Sequence, residues 1–184
     1  MTTEASMFWR RLDMPGHDAG WLERASCGWT ITGTAVFLHP TGPARLSYEI
    51  LCTAAWETLS ARVEGRLGDR SIAHLVVHDD ARWTLNGEPI EGLESLVDLD
   101  LSFTPATNIQ QLRRVPIKTG QRVPIPVAWL DIESGMLSTL PQFYERRGET
   151  TLSYEAPSVG YQGLLELADN GFIADYPGLW KAEL

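Results

Sequence analysis

Apolar and polar residues alternate singly along most of the chain, a period of two rather than 3.6. Between positions 96 and 103, Val97, Leu99, Leu101 and Phe103 fall on one side and Asp98, Asp100 and Ser102 on the other, the alternation of a strand with one buried face. The same reading fits segments 30–37, 46–51, 59–67, 72–78, 82–85, 112–118, 123–131, 150–155, 160–167 and 172–176. Turn formers separate them: His39-Pro-Thr-Gly42-Pro43, Gly68-Asp69, Asp79-Asp80, Asn86-Gly87, Thr119-Gly120, Arg147-Gly148 and Asp169-Asn170-Gly171. Asn86-Gly87 and Asn170-Gly171 are the sharpest, because a type I′ hairpin turn needs positive φ at both central residues. Strands joined so tightly are antiparallel.

Helical signal is sparse. Segment 18–25 has room for two turns after Pro15-Gly16, and 160–169 reads as strand or helix. Neither is long enough to cover a large sheet, so the sheet must bury its apolar face by curling on itself. The expectation is a mainly β protein with one domain over 1–184: a strongly curved antiparallel sheet, barrel or half-barrel, with few short helices. In 123–131 (VPIPVAWLD), Pro124 and Pro126 alternate with Val123, Ile125, Val127 and Trp129. Proline cannot donate to a ladder, which puts this strand at an edge.

Composition narrows the partners. A chain of 184 residues, 43% hydrophobic and 21% charged, suits one folded domain. Its net charge of -9, with no run of lysines or arginines, disfavours nucleic acid and anionic membrane surfaces. The opening MTTEASMFWRRLDMPG carries an acid and arginines where a secretory leader needs unbroken apolar residues, and no later stretch reaches membrane-spanning length. The expectation is a cytoplasmic protein without membrane insertion. Cys27 and Cys52 have neither a CxxC spacing nor a dense framework. His74 and His78 would lie about 13 Å apart on a strand, and Asp79-Asp80 sits where a turn must form, so no metal is expected. Nucleotide and hydrolase motifs are missing, and no cofactor is expected.

The candidate chemistry lies at Asp98 and Asp100, about 6.6 Å apart along one strand face. That approaches the spacing of a glycosidase acid and base, although such pairs usually come from different strands. A general acid needs a raised pKa, whereas an arginine in contact lowers it. Pro105 holds Thr104 extended and Asn108 favours a turn, so segment 112–118 is expected to return as a strand. Arg114 and Arg113 then lie on opposite faces, and at most one meets the acids directly. A structural ion-pair network, a polar ligand-binding patch and catalysis all remain open. Trp83, Trp129, Tyr144, Tyr154, Tyr161, Tyr176 and Trp180 load the second half with aromatic rings, most of them core and the remainder available to line a cavity.

Asp98-Leu-Asp100, Pro105-Ala106-Thr107-Asn108 and Arg113-Arg114 form a pattern with Gly33, Tyr48, Cys52, Trp56, Trp83, Val127-Ala-Trp129, Gln142-x-Tyr144 and the terminal Asp175-Tyr176-Pro177-Gly178-Leu179. In this order the chain resembles the "Putative glycolipid-binding" family, formerly a bacterial family of unknown function. The resemblance implies a fold similar to the periplasmic lipoprotein-carrier proteins, a curved sheet around an apolar cavity. The expected function is binding of a glycolipid or another lipid-like amphipathic molecule. Its apolar part is expected among Val97, Leu99, Leu101, Val127 and Trp129, and its polar head near Asp98, Asp100, Asn108, Arg113 and Arg114. Trp83, Trp129, Tyr144 and Tyr176 complete the expected ligand site. The alternative is an enzyme acting on a carbohydrate or lipid head group through Asp98 or Asp100. A protein partner along the 123–130 edge is disfavoured by its prolines. Ligand identity and oligomeric state stay open.

Overall fold

The computed structural model describes residues 2–183. The first half is a meander of long strands: β1 (Thr2–Arg11), β2 (Gly16–Ala25), β3 (Gly28–His39), β4 (Gly42–Thr53), β5 (Thr58–Leu67) and β6 (Arg70–Asp79), closed by the short β7 (Arg82–Leu85) and β8 (Glu88–Ile90). After β9 (Leu99–Leu101) comes helix α1 (Asn108–Arg114). The second half holds β10 (Arg122–Pro124), β11 (Val127–Asp131), β12 (Met136–Leu140), β13 (Phe143–Arg146), β14 (Thr151–Ala156), β15 (Tyr161–Leu167), β16 (Ile173–Tyr176) and β17 (Trp180–Ala182).

Fourteen of these strands make one open antiparallel sheet, ordered β10-β13-β14-β15-β16-β17-β1-β2-β3-β4-β5-β6-β7-β8. The chain ends meet in its middle, where Trp9 of β1 faces Ala182 of β17. Strand alternation decides which side is inner: Leu46, Tyr48, Ile50 and Cys52 of β4 are buried, whereas Arg45, Glu49 and Leu51 face out. The Asn86-Gly87 turn takes the expected conformation, at φ 54° and 87°, and Asp80 and Ala81 adopt it too, at 47° and 63°, whereas at Asn170-Gly171 only the glycine has positive φ, 91°.

A twisted sheet of fourteen strands cannot stay flat. Instead of closing on itself, it curls around a second, three-stranded sheet, β12-β11-β9, and α1. One apolar core joins Leu46, Ile50, Val63 and Val76 of the large sheet to Leu99, Leu101, Ala128 and Leu130 of the small one and to Ile109 of α1. A smaller core under β13–β16 joins Tyr144, Leu152, Tyr154 and Leu165 to Ile125 and Val127. Within the small sheet β9 and β11 run parallel. All three β9 residues are buried, because a strand sandwiched in this way has no solvent face.

Several expectations change. Segment 18–25 is a strand, β2, because it pairs along its length with β1 and β3. Segment 112–118 does not return as a strand: residues 108–114 are helical. Segment 123–131 is divided, with β10 ending the large sheet and β11 at the centre of the small one. The expected edge therefore exists at Pro124 but does not extend to Trp129. Strands β1, β2, β8, β12, β13 and β17 lie outside the segments read from alternation.

Candidate functional site

The acids and arginines separate into two places. Asp98 is fully buried and accepts two bonds from Arg114, Nε to Oδ1 at 2.9 Å and Nη2 to Oδ2 at 2.5 Å. This fork ties the approach to β9 to the last turn of α1, where a cation is also favoured by the helix dipole. Burial pushes the Asp98 carboxyl up from its ordinary value, and the Arg114 guanidinium pulls it part of the way back. Desolvation thus outweighs the arginine, opposite to the expectation from contact alone. Arg113 points elsewhere and donates from Nη2 to the carbonyl of Asn170 at 3.0 Å.

Asp100 lines a pocket of about 270 Å³ between β9, the 102–108 loop and the strands β14 to β16. Gln142 Nε2 donates to its Oδ2 at 3.2 Å. Burial raises this carboxyl to about pKa 6, only partly opposed by that one bond. The lining adds Ser102, Thr104 and Asn108, the ring of Trp129 beside Asp100 in the small sheet, and the rings of Tyr154, Tyr161, Tyr176 and Trp180. Tyr154, Tyr161 and Tyr176 pack with centroids 5.1–5.8 Å apart, two of the three pairs edge to face. Burial raises the pKa of each, Tyr161 to about 12, so all three hydroxyls stay protonated.

Behind the pocket a buried polar chain fixes the helix. Asn108 Nδ2 donates to Tyr144 Oη at 2.8 Å, and Tyr144 donates to Gln111 Oε1 at 2.9 Å. Gln110 bonds Thr58 Oγ1 through Nε2 at 3.0 Å and accepts from the Cys52 thiol at 3.5 Å. That thiol is pushed up to about 12 by burial and stays neutral. A third group supports the 102–108 loop: buried Asp18 accepts from the hydroxyls of Tyr48, at 3.0 Å, and Thr104, which lines the pocket. Burial raises Asp18 to about pKa 6 despite these bonds.

Of the residues proposed from sequence, Asp100, Asn108, Trp129 and Tyr176 meet at this pocket, and Tyr144 backs it through Asn108. Asp98, Arg113 and Arg114 are not among its lining residues. Trp83 is in the core, stacked on His78 at 4.4 Å and donating from Nε1 to the Leu96 carbonyl. Of the expected apolar lining, Leu101 and Trp129 reach the pocket, whereas Val97 is not among its lining residues and Leu99 and Val127 are consumed by packing between the sheets. Thr104 and Asp18 were not singled out from sequence, since a threonine before a proline and an acid in an unrecognised strand carry no distinctive spacing. Among the described residues no group of three or more His, Cys, Asp or Glu side chains is placed to hold a metal ion, and no helix is long and apolar enough to cross a membrane.

No curated protein matches the chain. A crystal structure of a DUF1089 family protein from Pseudomonas aeruginosa shares the fold with a TM-score of 0.74, at 22% identity, over 89% of this chain and 91% of that one. The model of the family described as "Putative glycolipid-binding" matches residues 6–182. With nearly its whole length matched, from β1 through β17, the chain belongs to that family.

Proposed function

We propose that the protein binds the sugar head group of a glycolipid in the Asp100 pocket. The observation that carries this reading is the juxtaposition of a buried carboxyl group and uncharged hydroxyl and amide groups with several aromatic rings in one cavity. A sugar presents hydroxyls to be hydrogen-bonded at its edge and C–H groups to lie against a ring face, and this lining supplies both kinds of partner. At about 270 Å³ the space falls just below the roughly 300–1,000 Å³ of pockets that enclose drug-sized ligands. It suits one ring, with the lipid portion remaining outside past the exposed Val159 at the rim. The family's description points to the same ligand class.

The enzymatic alternative lacks support. Cleavage of a glycosidic bond commonly needs two carboxyl groups flanking the bond, whereas Asp98 is held by Arg114 and Asp100 is the one carboxylate among the pocket's lining residues. Titration with octyl β-glucoside below its micelle concentration, followed by calorimetry, tests the binding role. Saturable binding weakened about tenfold or more by Asp100→Asn, and likewise by Trp129→Ala, is the expected result, each loss reflecting at least one hydrogen bond or ring contact. Binding that survives both changes would place the ligand elsewhere.

A further inference from the structure

A second cavity, of about 430 Å³, shares no lining residue with the Asp100 pocket. Its wall is a stacked pair of indoles, Trp29 of β3 and Trp56 of the β4–β5 turn, with centroids 4.4 Å apart and planes 15° from parallel. The turn explains why Trp56 is unusual. Trp56 N–H donates to the Thr53 carbonyl at 3.0 Å and Thr53 N–H to the Glu57 carbonyl at 2.8 Å, the pattern of a three-residue hairpin loop whose last residue is left-handed. That position favours glycine. Here a tryptophan occupies it at φ 70°. The other non-glycine residues with positive φ among the described residues, Asp80, Ala81 and Asn86, sit in two-residue turns that require it. A bulky side chain held in a disfavoured backbone state is a feature concentrated at ligand sites.

Ala5, Leu22 and Asn170 complete the lining with two charged residues, Glu4 and Arg113. Arg113 is exposed, and no carboxylate among the described residues lies within ion-pair distance of it. Its guanidinium is nonetheless fixed: Nη2 is bonded to the Asn170 carbonyl, and a side chain at Gly171 would come within 2.8 Å of it. Gly171 is thus what lets the guanidinium lie against the β15–β16 turn. Glu4 of β1 lies in the same wall. An indole plate, a held guanidinium with open donors and a separate carboxylate match a ring with an acidic substituent at one end and hydroxyls at the other.

We infer that this cavity is a second ligand site, one that takes a pyranose bearing a carboxylate or a phosphate, its ring against Trp56 and its acid on Arg113. Calorimetric titration of the full chain with glucuronate, glucose 1-phosphate and glucose tests this. The acidic sugars are expected to bind at least about tenfold more tightly than glucose, the step one charge-assisted hydrogen bond supplies. The tighter of the two identifies the acid as carboxylate or phosphate. Arg113→Gln is expected to abolish the preference. Trp56→Gly, which suits the left-handed turn and so preserves the loop, is expected to abolish binding while thermal unfolding remains cooperative. Asp100→Asn is expected to change nothing here, which separates this site from the other pocket. Equal affinity for acidic and neutral sugars, no binding of any, binding that survives Trp56→Gly, or loss on Asp100→Asn would each overturn the inference.

Discussion

Asp18 and Asp100 carry most of the pH dependence that can be read from single residues. Both are buried and both titrate near 6 rather than at the ordinary 3.8. The folded state therefore holds these protons more tightly than the unfolded chain. Each contribution is fully present below about pH 4, falls as pH rises through 6 and is flat above it. A shift of that size corresponds to about 3 kcal/mol per group. In Asp100→Asn the group no longer titrates, so the variant should gain about 2–3 kcal/mol on the wild type between pH 4 and pH 7, measured by urea unfolding. Parallel pH profiles for the two proteins would contradict the burial argument. Arg114 acts in a different way, since its removal leaves a fully buried carboxyl without its partner. Arg114→Ala should destabilise by about 3 kcal/mol, and adding Asp98→Asn should recover part of that, as a double-mutant cycle in urea would show.

At the scale of elements, the readable parts of the chain are those whose inward side is apolar. Strands β3 to β6 follow from the alternation of Ile31, Leu46, Ile50, Val63 and Val76. Strand β2 does not, because its inward positions are Asp18, Gly20 and Leu22. The acid serves Tyr48 and Thr104, and the glycine admits Trp9 and the Tyr48 hydroxyl. Helix α1 was hidden for a related reason: Asn108, Gln110 and Gln111 are buried with Ile109, so it shows no apolar stripe. The pocket was legible where it used aromatic residues or the Asp98-Leu-Asp100 pattern. Thr104 joined it only through the fold, which sets the loop after β9 against β14 to β17. Gly33 makes these links testable, since a Cβ there would overlap the Tyr48 hydroxyl and approach the Ala19 carbonyl at 2.5 Å. Gly33→Ala should destabilise by about 1–3 kcal/mol or more and displace Tyr48 from Asp18, seen as a lower urea midpoint. An unchanged midpoint would show that the strands can yield. The prolines have a positional meaning as well: Pro89 and Pro124 lie on β8 and β10, the two ends of the large sheet. There a missing N–H shortens the ladder open to another chain.

For the molecule as a whole, what the curled sheet encloses decides what it can hold. Alternation implied a curled sheet and the family resemblance an apolar cavity inside it; the sheet does curl, and the chain fills most of its interior with β9, β11, β12 and α1. Among the spaces left is the pocket of about 270 Å³ at Asp100, with the exposed Val159 at its rim where an apolar portion of a ligand can continue outward. The proposed occupant of this pocket is the sugar of a glycolipid. Native mass spectrometry of the protein purified gently from its own host, compared with Asp100→Asn purified in the same way, tests it most directly. A one-to-one glycolipid adduct is expected on the wild type and is expected to be lost or strongly reduced in the variant. A wild-type protein without an adduct, under conditions that retain weak ligands, or an adduct equally abundant on Asp100→Asn would contradict it.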